Sequence, residues 1–375
     1  MVAVVGPRQS GKTTFLKHRL PPGGNYLLFD HPDLRSLFED SFTDFELQHM
    51  KGRNLTVLDE VQQCKDAGPR LKYLVDSGYR LWTTSSSEVL LGQEVLSHLV
   101  GRTAILRLLP FNLREFLVAK GQRVLPERAR HQAIWEHMAY GGYPEVVLTD
   151  NVEDKVRMLG ELHLTMLLRD VVRTFSIGSM KDLELLTLYL AQSPGALLTH
   201  DAAASDLGMA RATVKKYLEA LQMSYLVHPV RPFFTNRRKE LVKQQRYYFL
   251  DTGLRNAIAR DFQNEPSGPL FENYVLTELV KMGFEPHYWR TKSKAEVDFI
   301  IRTDDGAIPV EVKLRPDPPK VETGLRAFID QYAPERAFVV GLRGETASTE
   351  VSGCDVSFTH LPGLWESLTG KKVVG

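Results

Sequence analysis

MVAVVGPRQSGKTTFLKHRL, residues Met1 to Leu20, runs from five apolar residues through a glycine-bracketed polar loop into a helix-forming stretch. Gly6, four residues, then Gly11-Lys12-Thr13 is the P-loop spacing, and its strand–loop–helix setting is the one that gives the pattern meaning. Glycines at 6 and 11 let the backbone curl so that its amides and the following helix N-terminus face phosphate. The binding loop is therefore expected to comprise Gly6, Pro7, Arg8, Gln9, Ser10, Gly11, Lys12, Thr13 and Thr14. Lys12 is expected at the β- and γ-phosphates, and the Thr13 hydroxyl on Mg²⁺.

A P-loop needs a buried strand that ends in acid, and NLTVLDEVQQC supplies it. Leu55, Val57 and Leu58 lead into Asp59, expected on Mg²⁺, and Glu60, expected to orient or deprotonate the attacking water. YRLWTTSSSEVLL reads as a third strand ending in hydroxyls, one of which, Thr84, Ser85 or Ser86, is the candidate contact to the γ-phosphate, with Ser85 placed in the site. Arg102 is a candidate arginine finger or nucleotide sensor. ATP with Mg²⁺ is the expected pair, although no residue singled out here reads the base and GTP stays open.

A second constellation lies in AEVDFIIRTDDGAIPVEVKL, Ala295 to Leu314. Two apolar runs flank TDDG, so the stretch reads as a β-hairpin with Arg302 opposite Ala307. That register sets Asp298 opposite Glu311 and Glu296 opposite Lys313, on the face away from Val297, Phe299 and Ile301. Facing carboxylates repel, and a divalent cation between them would remove the penalty. Asp298 followed by Glu311-x-Lys313 resembles the core of the PD-(D/E)XK nuclease superfamily. That resemblance implies a further acid from a preceding helix, for which GPLFENYVLTELVKMGF offers Glu272. It also implies a metal held by Glu272, Asp298 and Glu311, with Lys313 as the catalytic cation.

The remaining composition excludes several classes. At 375 residues there is room for two to four domains, and 43% hydrophobic with 25% charged residues is ordinary for a globular chain. No apolar run approaches the roughly 20 residues a membrane helix needs, and no secretory signal is visible. Two cysteines, Cys64 and Cys354, make no disulfide framework, so a reducing cytoplasm is expected.

The middle of the chain is helical. DKVRMLGELHLTMLLRDVVRTF places Leu159, Leu162, Met166 and Val172 on one face, and YGGYPEVV reads as a tight loop between lid helices. LTHDAAASDLGMARATVKKYLEALQ looks like helix-turn-helix, with Thr199 as a cap, Gly208 as a break, and Val214, Leu218 and Leu221 inward. From Gly208 to Arg246 there are nine Lys and Arg against two Glu, a net +7, so the rest of this +1 chain is −6. Such segregation favours a phosphate backbone, with DNA contacts expected from Arg211, Lys215, Lys216, Arg237, Arg238 and Lys239. A protein-binding role for the same element is the bland alternative.

In order, GPRQSGKTT, LTVLDEVQ, TTSSS, HLVGRTAILRLLPFNLREFL, YGGYPEVV and YYFLDTGLRNAI resemble the bacterial and archaeal AAA-superfamily ATPases that carry a C-terminal domain of unknown function. The resemblance implies an α/β chain: a P-loop NTPase parallel-sheet core over 1–118, a helical lid over 119–180, a winged helix over 181–258 and a restriction-endonuclease-like domain over 259–375. AAA-type sites often borrow an arginine from a neighbouring subunit, so a homo-oligomer is expected. Family members also carry a segment before the first strand that helps enclose the adenine. With that strand at Met1, a truncated start or a loosely held base is expected. Two functions follow. One is an Mg²⁺-dependent ATPase that binds DNA and cuts it through Glu272, Asp298, Glu311 and Lys313. The other is a nucleotide-gated switch or scaffold whose last domain only binds.

Overall fold

The computed structural model describes residues 1–86, 91–92, 96–121, 127–236, 238, 240, 243–262, 265–304 and 306–371. By packing the chain forms two compact units. The first comprises Met1–Pro110 with Thr165–Gly178 and Met223–Tyr225. The second comprises Phe111–Leu164, Ser179–Gln222 and Leu226–Gly375.

In the first unit β1 (Val2–Val5), β2 (Asn25–Leu28), β3 (Thr56–Asp59), β4 (Leu81–Ser85) and β5 (Ala104–Arg107) form one parallel sheet, ordered β2-β3-β4-β1-β5. The inner strands are short apolar runs because helices cover both faces. Helix α1 (Lys12–Arg19) follows β1, with Leu16 packed against Val4 and Val57 on one face. On the other face α2 (Pro32–Asp40), α3 (Phe42–His49) and α4 (Ala67–Asp76) bury an aromatic cluster of Phe29, Phe38 and Phe45. The loops at the carboxyl ends of β1, β3 and β4 lie together, since Val5 pairs with Ser85 and Asp59 with Thr84.

The second unit begins with α5 (Leu113–Ala119), α6 (Glu127–Tyr140), α7 (Pro144–Leu148) and α8 (Val152–Thr165). Next come α9 (Met180–Gln192), α10 (His200–Leu207) and α11 (Arg211–Met223), with a small antiparallel sheet ordered β6 (Leu197–Leu198), β8 (Gln245–Phe249), β7 (Val227–Val230). Thr199 caps α10 by accepting from the Ala202 amide at 3.0 Å, and Gly208 ends it at φ 65°. Val214, Leu218 and Leu221 are buried as their spacing predicts.

Helix α12 (Thr252–Ala259) leads to α13 (Gly268–Lys281) and a six-stranded mixed sheet ordered β13-β14-β12-β11-β10-β9. Its strands are β9 (His287–Arg290), β10 (Glu296–Thr303), β11 (Gly306–Lys313), β12 (Arg336–Gly341), β13 (Ala347–Val351) and β14 (Cys354–His360). Helix α14 (Thr323–Tyr332) packs with Val297, Ile300 and Val339 on one face of the sheet. Helix α13 and α15 (Leu361–Thr369) pack with Phe299, Val310 and Val340 on the other.

Helices α5 and α6 share one apolar core with α13 and this sheet. Leu113, Phe116, Ile134 and Met138 join Tyr248, Phe271, Tyr274 and Val310. Burying such side chains is worth about 1.5–3 kcal/mol each, which ties the helices to the sheet rather than leaving a separate lid. Polar links add to it. The Asp251 carboxylate accepts the Leu254 amide at 3.0 Å and the Gly142 amide at 2.8 Å, so the YGGYPEVV loop is fastened to the start of α12. A β-carbon at Gly141 would stand 2.0 Å from that same carboxylate.

Candidate functional site

Gly6 leaves β1 with φ 152°, and a β-carbon there would sit 2.1 Å from the Leu108 carbonyl oxygen, so the position admits only glycine. Gln9 (φ 58°) and Gly11 (φ 91°) take left-handed conformations that curl the loop, the geometry of an anion-binding nest. Lys12 is 8% exposed, and its ammonium donates to the carbonyls of Gly6 (2.9 Å) and Pro7 (2.7 Å). The Ser10 hydroxyl is buried and has no hydrogen-bond partner among the described residues. An orphaned polar atom inside such a loop suits a polyanionic ligand.

Asp59 is held from three directions. Its Oδ2 accepts from the Thr13 hydroxyl at 3.0 Å and from the Tyr26 hydroxyl, while Oδ1 accepts from the Thr84 hydroxyl. Hard oxygens of Thr13 and Asp59 side by side are the donor set Mg²⁺ takes. Burial first, then the Asp59 carboxylate, pushes the Tyr26 phenol upward, which keeps it a donor. Glu60 follows in a left-handed conformation (φ 60°), its amide donating to Thr84 Oγ1 at 3.3 Å and its carboxylate accepting from Gln62 at 2.5 Å. Burial lifts the Glu60 carboxyl above its usual range against the opposing pull of Lys12, which strengthens it as a base.

Ser85 lies at the end of β4, and its carbonyl accepts the Gly6 amide at 3.3 Å. Thr84, one of the three hydroxyl candidates, is the one on Asp59. Arg102 precedes Ala104, which pairs with Val2 at the amino end of the parallel sheet, and it forms an ion pair with Asp76 at 2.9 Å. Within its own chain it therefore stands at the edge opposite the loop. Tyr26 carries no motif signal at all. Tyr26→Phe is expected to weaken metal affinity by about 10- to 100-fold, as loss of a ligand-orienting partner does. The check is a Mg²⁺ titration of nucleotide binding, and an unchanged midpoint would make Tyr26 a packing residue.

In the second unit the hairpin register is as predicted from Thr303–Gly306 through Arg302–Ala307 to Phe299–Val310. Beyond Phe299 the strands part. The β10–β9 register shifts between Val297 and Ile300, so Val297 turns to the opposite face from Phe299 and Ile301. Glu296 pairs with Arg290 on β9, while on the other side the β10–β11 pairing ends at Phe299 and does not reach Glu296 and Lys313. Asp298 Oδ2 accepts the Val312 amide at 2.8 Å, while Glu311 Oε1 binds the Lys313 ammonium at 2.9 Å. Glu272 accepts from the Tyr248 hydroxyl at 2.5 Å and from Arg246 at 3.5 Å, and Arg246 also grips Glu296 and lies 4.8 Å over the Tyr288 ring.

These groups share one field. Burial, then Asp298, raises Glu272 to about 8 and Glu311 to about 7, and Asp298 is raised chiefly by burial. Burial lowers Lys313, but Glu311 outweighs it and holds the ammonium charged. Among the described residues no group of three or more His, Cys, Asp and Glu is arranged to hold a metal ion. Of the three expected carboxylates, Glu272 is engaged by Tyr248 and Arg246. Glu311 Oε2 is buried without a hydrogen-bond partner, an acceptor that a cation beside Asp298 and Glu311 would satisfy.

The basic stretch is only partly a surface. Arg211, Lys215 and Lys216 lie exposed on α11, Arg211 paired with Asp201 at 3.2 Å and Lys215 with Glu219 at 3.8 Å. Arg238 is exposed, whereas Arg237 and Lys239 lie outside the described residues. Arg246, counted with the basic stretch, is buried among carboxylates.

The comparisons with known proteins divide along these lines. Residues 1–117 match the AAA domain family. With the loop, Asp59 and sheet order above, the first unit carries an AAA-type P-loop nucleotide-binding fold. Residues 131–265 match "Domain of unknown function (DUF8612)" and residues 267–357 match "Domain of unknown function (DUF4143)". The chain is similar to an uncharacterised protein of Methanocaldococcus jannaschii, 26% identical over 319 residues, covering 80% of this chain and 71% of that one. It is also similar to one of Haemophilus influenzae, 27% identical over 282 residues, covering 73% and 68%. A solved Walker-type ATPase of Pyrococcus abyssi aligns over 68% of this chain and 90% of its own, at TM-score 0.44 and 14% identity. No helix among the described residues is long and apolar enough to cross a membrane.

Proposed function

We propose that this protein is an Mg²⁺-dependent AAA-type ATPase whose second unit binds DNA and cleaves it at the Asp298–Glu311–Lys313 corner. The observation that carries the ATPase half is the convergence of Thr13, Tyr26 and Thr84 on Asp59 beside the Lys12 cradle. Thr13 and Asp59 would hold Mg²⁺, which supplies charge neutralisation at the phosphates. Lys12 positions and stabilises the γ-phosphate, and Glu60 accepts a proton from the attacking water. Cytoplasmic placement and assembly into a homo-oligomer, with Arg102 offered to a neighbouring subunit, belong to the same proposal.

For DNA, α10, α11 and the β6–β8–β7 sheet act as a winged helix, with Arg211, Lys215, Lys216 and Arg238 on phosphates. At the acidic corner Asp298 and Glu311 would hold the cation, whose role is to activate water, and Lys313 stabilises charge on the scissile phosphate. A second reading, a nucleotide-gated switch whose last domain binds without cutting, draws on the engagement of Glu272 by Arg246 and Tyr248.

The test compares wild type with Glu311→Ala on labelled duplex and single-stranded DNA, with Mg²⁺ or Mn²⁺, with and without ATP. Cleavage is expected to vanish in the variant while ATP turnover stays within about twofold. Metal-dependent cutting that survives the substitution would remove Glu311 from the site, and no cutting by wild type would leave the switch.

A further inference from the structure

Beside the acidic corner the second unit carries an open cleft of about 970 Å³, at the upper end of the roughly 300–1,000 Å³ range for small-ligand sites. The chain builds it by adding residues 231–233 to the sheet edge. The Tyr288 amide donates to the Arg231 carbonyl at 3.0 Å and the Phe233 amide to the Tyr288 carbonyl at 2.6 Å, alongside a parallel bridge from Pro232 to Tyr288. Its walls are aromatic, from Phe234, Trp289 and Tyr332, and its cations are Lys243, Arg290 and Lys292. No carboxylate lines it.

The aromatics differ in what they offer. Trp289 is buried against Phe328, whereas Phe234 and Tyr332 are half-exposed. Among the described residues Lys243 and Lys292 make no ion pair, and both are exposed. Arg290 is bound to Glu296 at 3.5 Å, and Glu296 leads through Arg246 to Glu272. The cleft thus runs to the edge of the carboxylate group. At its other end it shares Lys243 and Gln244 with a cavity of about 470 Å³ lined by Arg211, Lys215 and Arg231.

We propose that this cleft holds an unpaired nucleic-acid strand, with bases against Phe234 and Tyr332 and phosphates on Lys243 and Lys292. Aromatic faces recognise bases only when those bases are unstacked, and cations without acidic neighbours select the phosphate backbone. A duplex keeps its base faces covered and gains only the charge contacts. An acidic peptide would also find cations here, but the half-exposed rings next to bare lysines favour alternating π-faces and phosphates. The inference rests on the proposed nucleic-acid role of this unit and names its substrate as single-stranded.

The test is fluorescence polarisation of the full chain with a labelled oligo-dT and with a duplex of equal length, in EDTA so that nothing is cut. The single strand is expected to bind at least about tenfold more tightly than the duplex. Phe234→Ala should weaken it by about 5- to 100-fold, the range for losing one stacked base. Lys292→Glu should weaken it and flatten the log–log salt slope by about 1. Both side chains are peripheral to the core, and melting curves check that the variants fold. Unchanged affinity in both variants overturns the proposal, as does equal affinity for duplex and single strand, or competition by an acidic peptide alone. Absent cleavage with intact, Phe234-dependent binding would sink only the cleavage reading.

Discussion

Lys12→Ala is expected to reduce ATP turnover by about 100- to 1,000-fold, the usual effect of deleting one preorganised charge at a transition state. The ammonium is held in place by the Gly6 and Pro7 carbonyls before any substrate contact, so little reorganisation is needed when phosphate arrives. Glu60 would remain, with its proton affinity raised further, because Lys12 is the charge that holds it down. The base without the cation cannot stabilise the leaving group, and turnover falls. Released phosphate measured under saturating Mg²⁺ and ATP decides it. Turnover within about threefold of wild type would place Lys12 outside the chemistry.

Arg246→Met is the second large effect, and it falls on stability. The guanidinium is 6% exposed and serves Glu272 and Glu296 together, at 21% and 31%. Removing one member of a buried ion pair costs about 3–5 kcal/mol, because the charges left behind have lost their water and their partner. The melting temperature should fall by about 10 °C. Replacing Glu272 and Glu296 by Gln in the same chain should recover most of that loss, since the uncompensated charges are then gone. A melting temperature unchanged by Arg246→Met would mean that water screens the cluster.

Where a local rule decides geometry, the sequence was a good guide. The P-loop residues, the acidic end of β3, the caps on α10 and the inner stripe of α11 all follow from spacing and residue chemistry over a few positions. The hairpin register was legible for the same reason, as far as Phe299. It failed at the acidic end, where a shift in pairing with β9 moved Val297 to the other face and gave Glu296 to Arg290. No alternation rule sees a partner strand that lies outside the hairpin.

The misses share a cause. Tyr26 reaches Asp59 from a neighbouring strand, and Arg246 reaches Glu272 and Glu296 from another sheet. Those contacts span 33 and 26 to 50 positions of chain. Residue type alone made Arg246 one more cation in a basic run. Arg102 comes before β5 begins, away from the carboxyl end where a parallel strand offers residues to its own phosphates, so the finger proposed for it is one given to a neighbouring subunit.

Arg246 belongs to β8, upstream of every residue in the last family match, which begins at position 267. A fragment cut at that boundary would keep Glu272 and Glu296 and lose the cation between them. It would lose Tyr248 from under Phe299 as well. Expressed alone, such a piece starts life with two carboxyl groups whose cation is gone and a torn core. Its silence in an assay would describe the cut and not the enzyme, so the C-terminal chemistry has to be judged in chains that still carry β8.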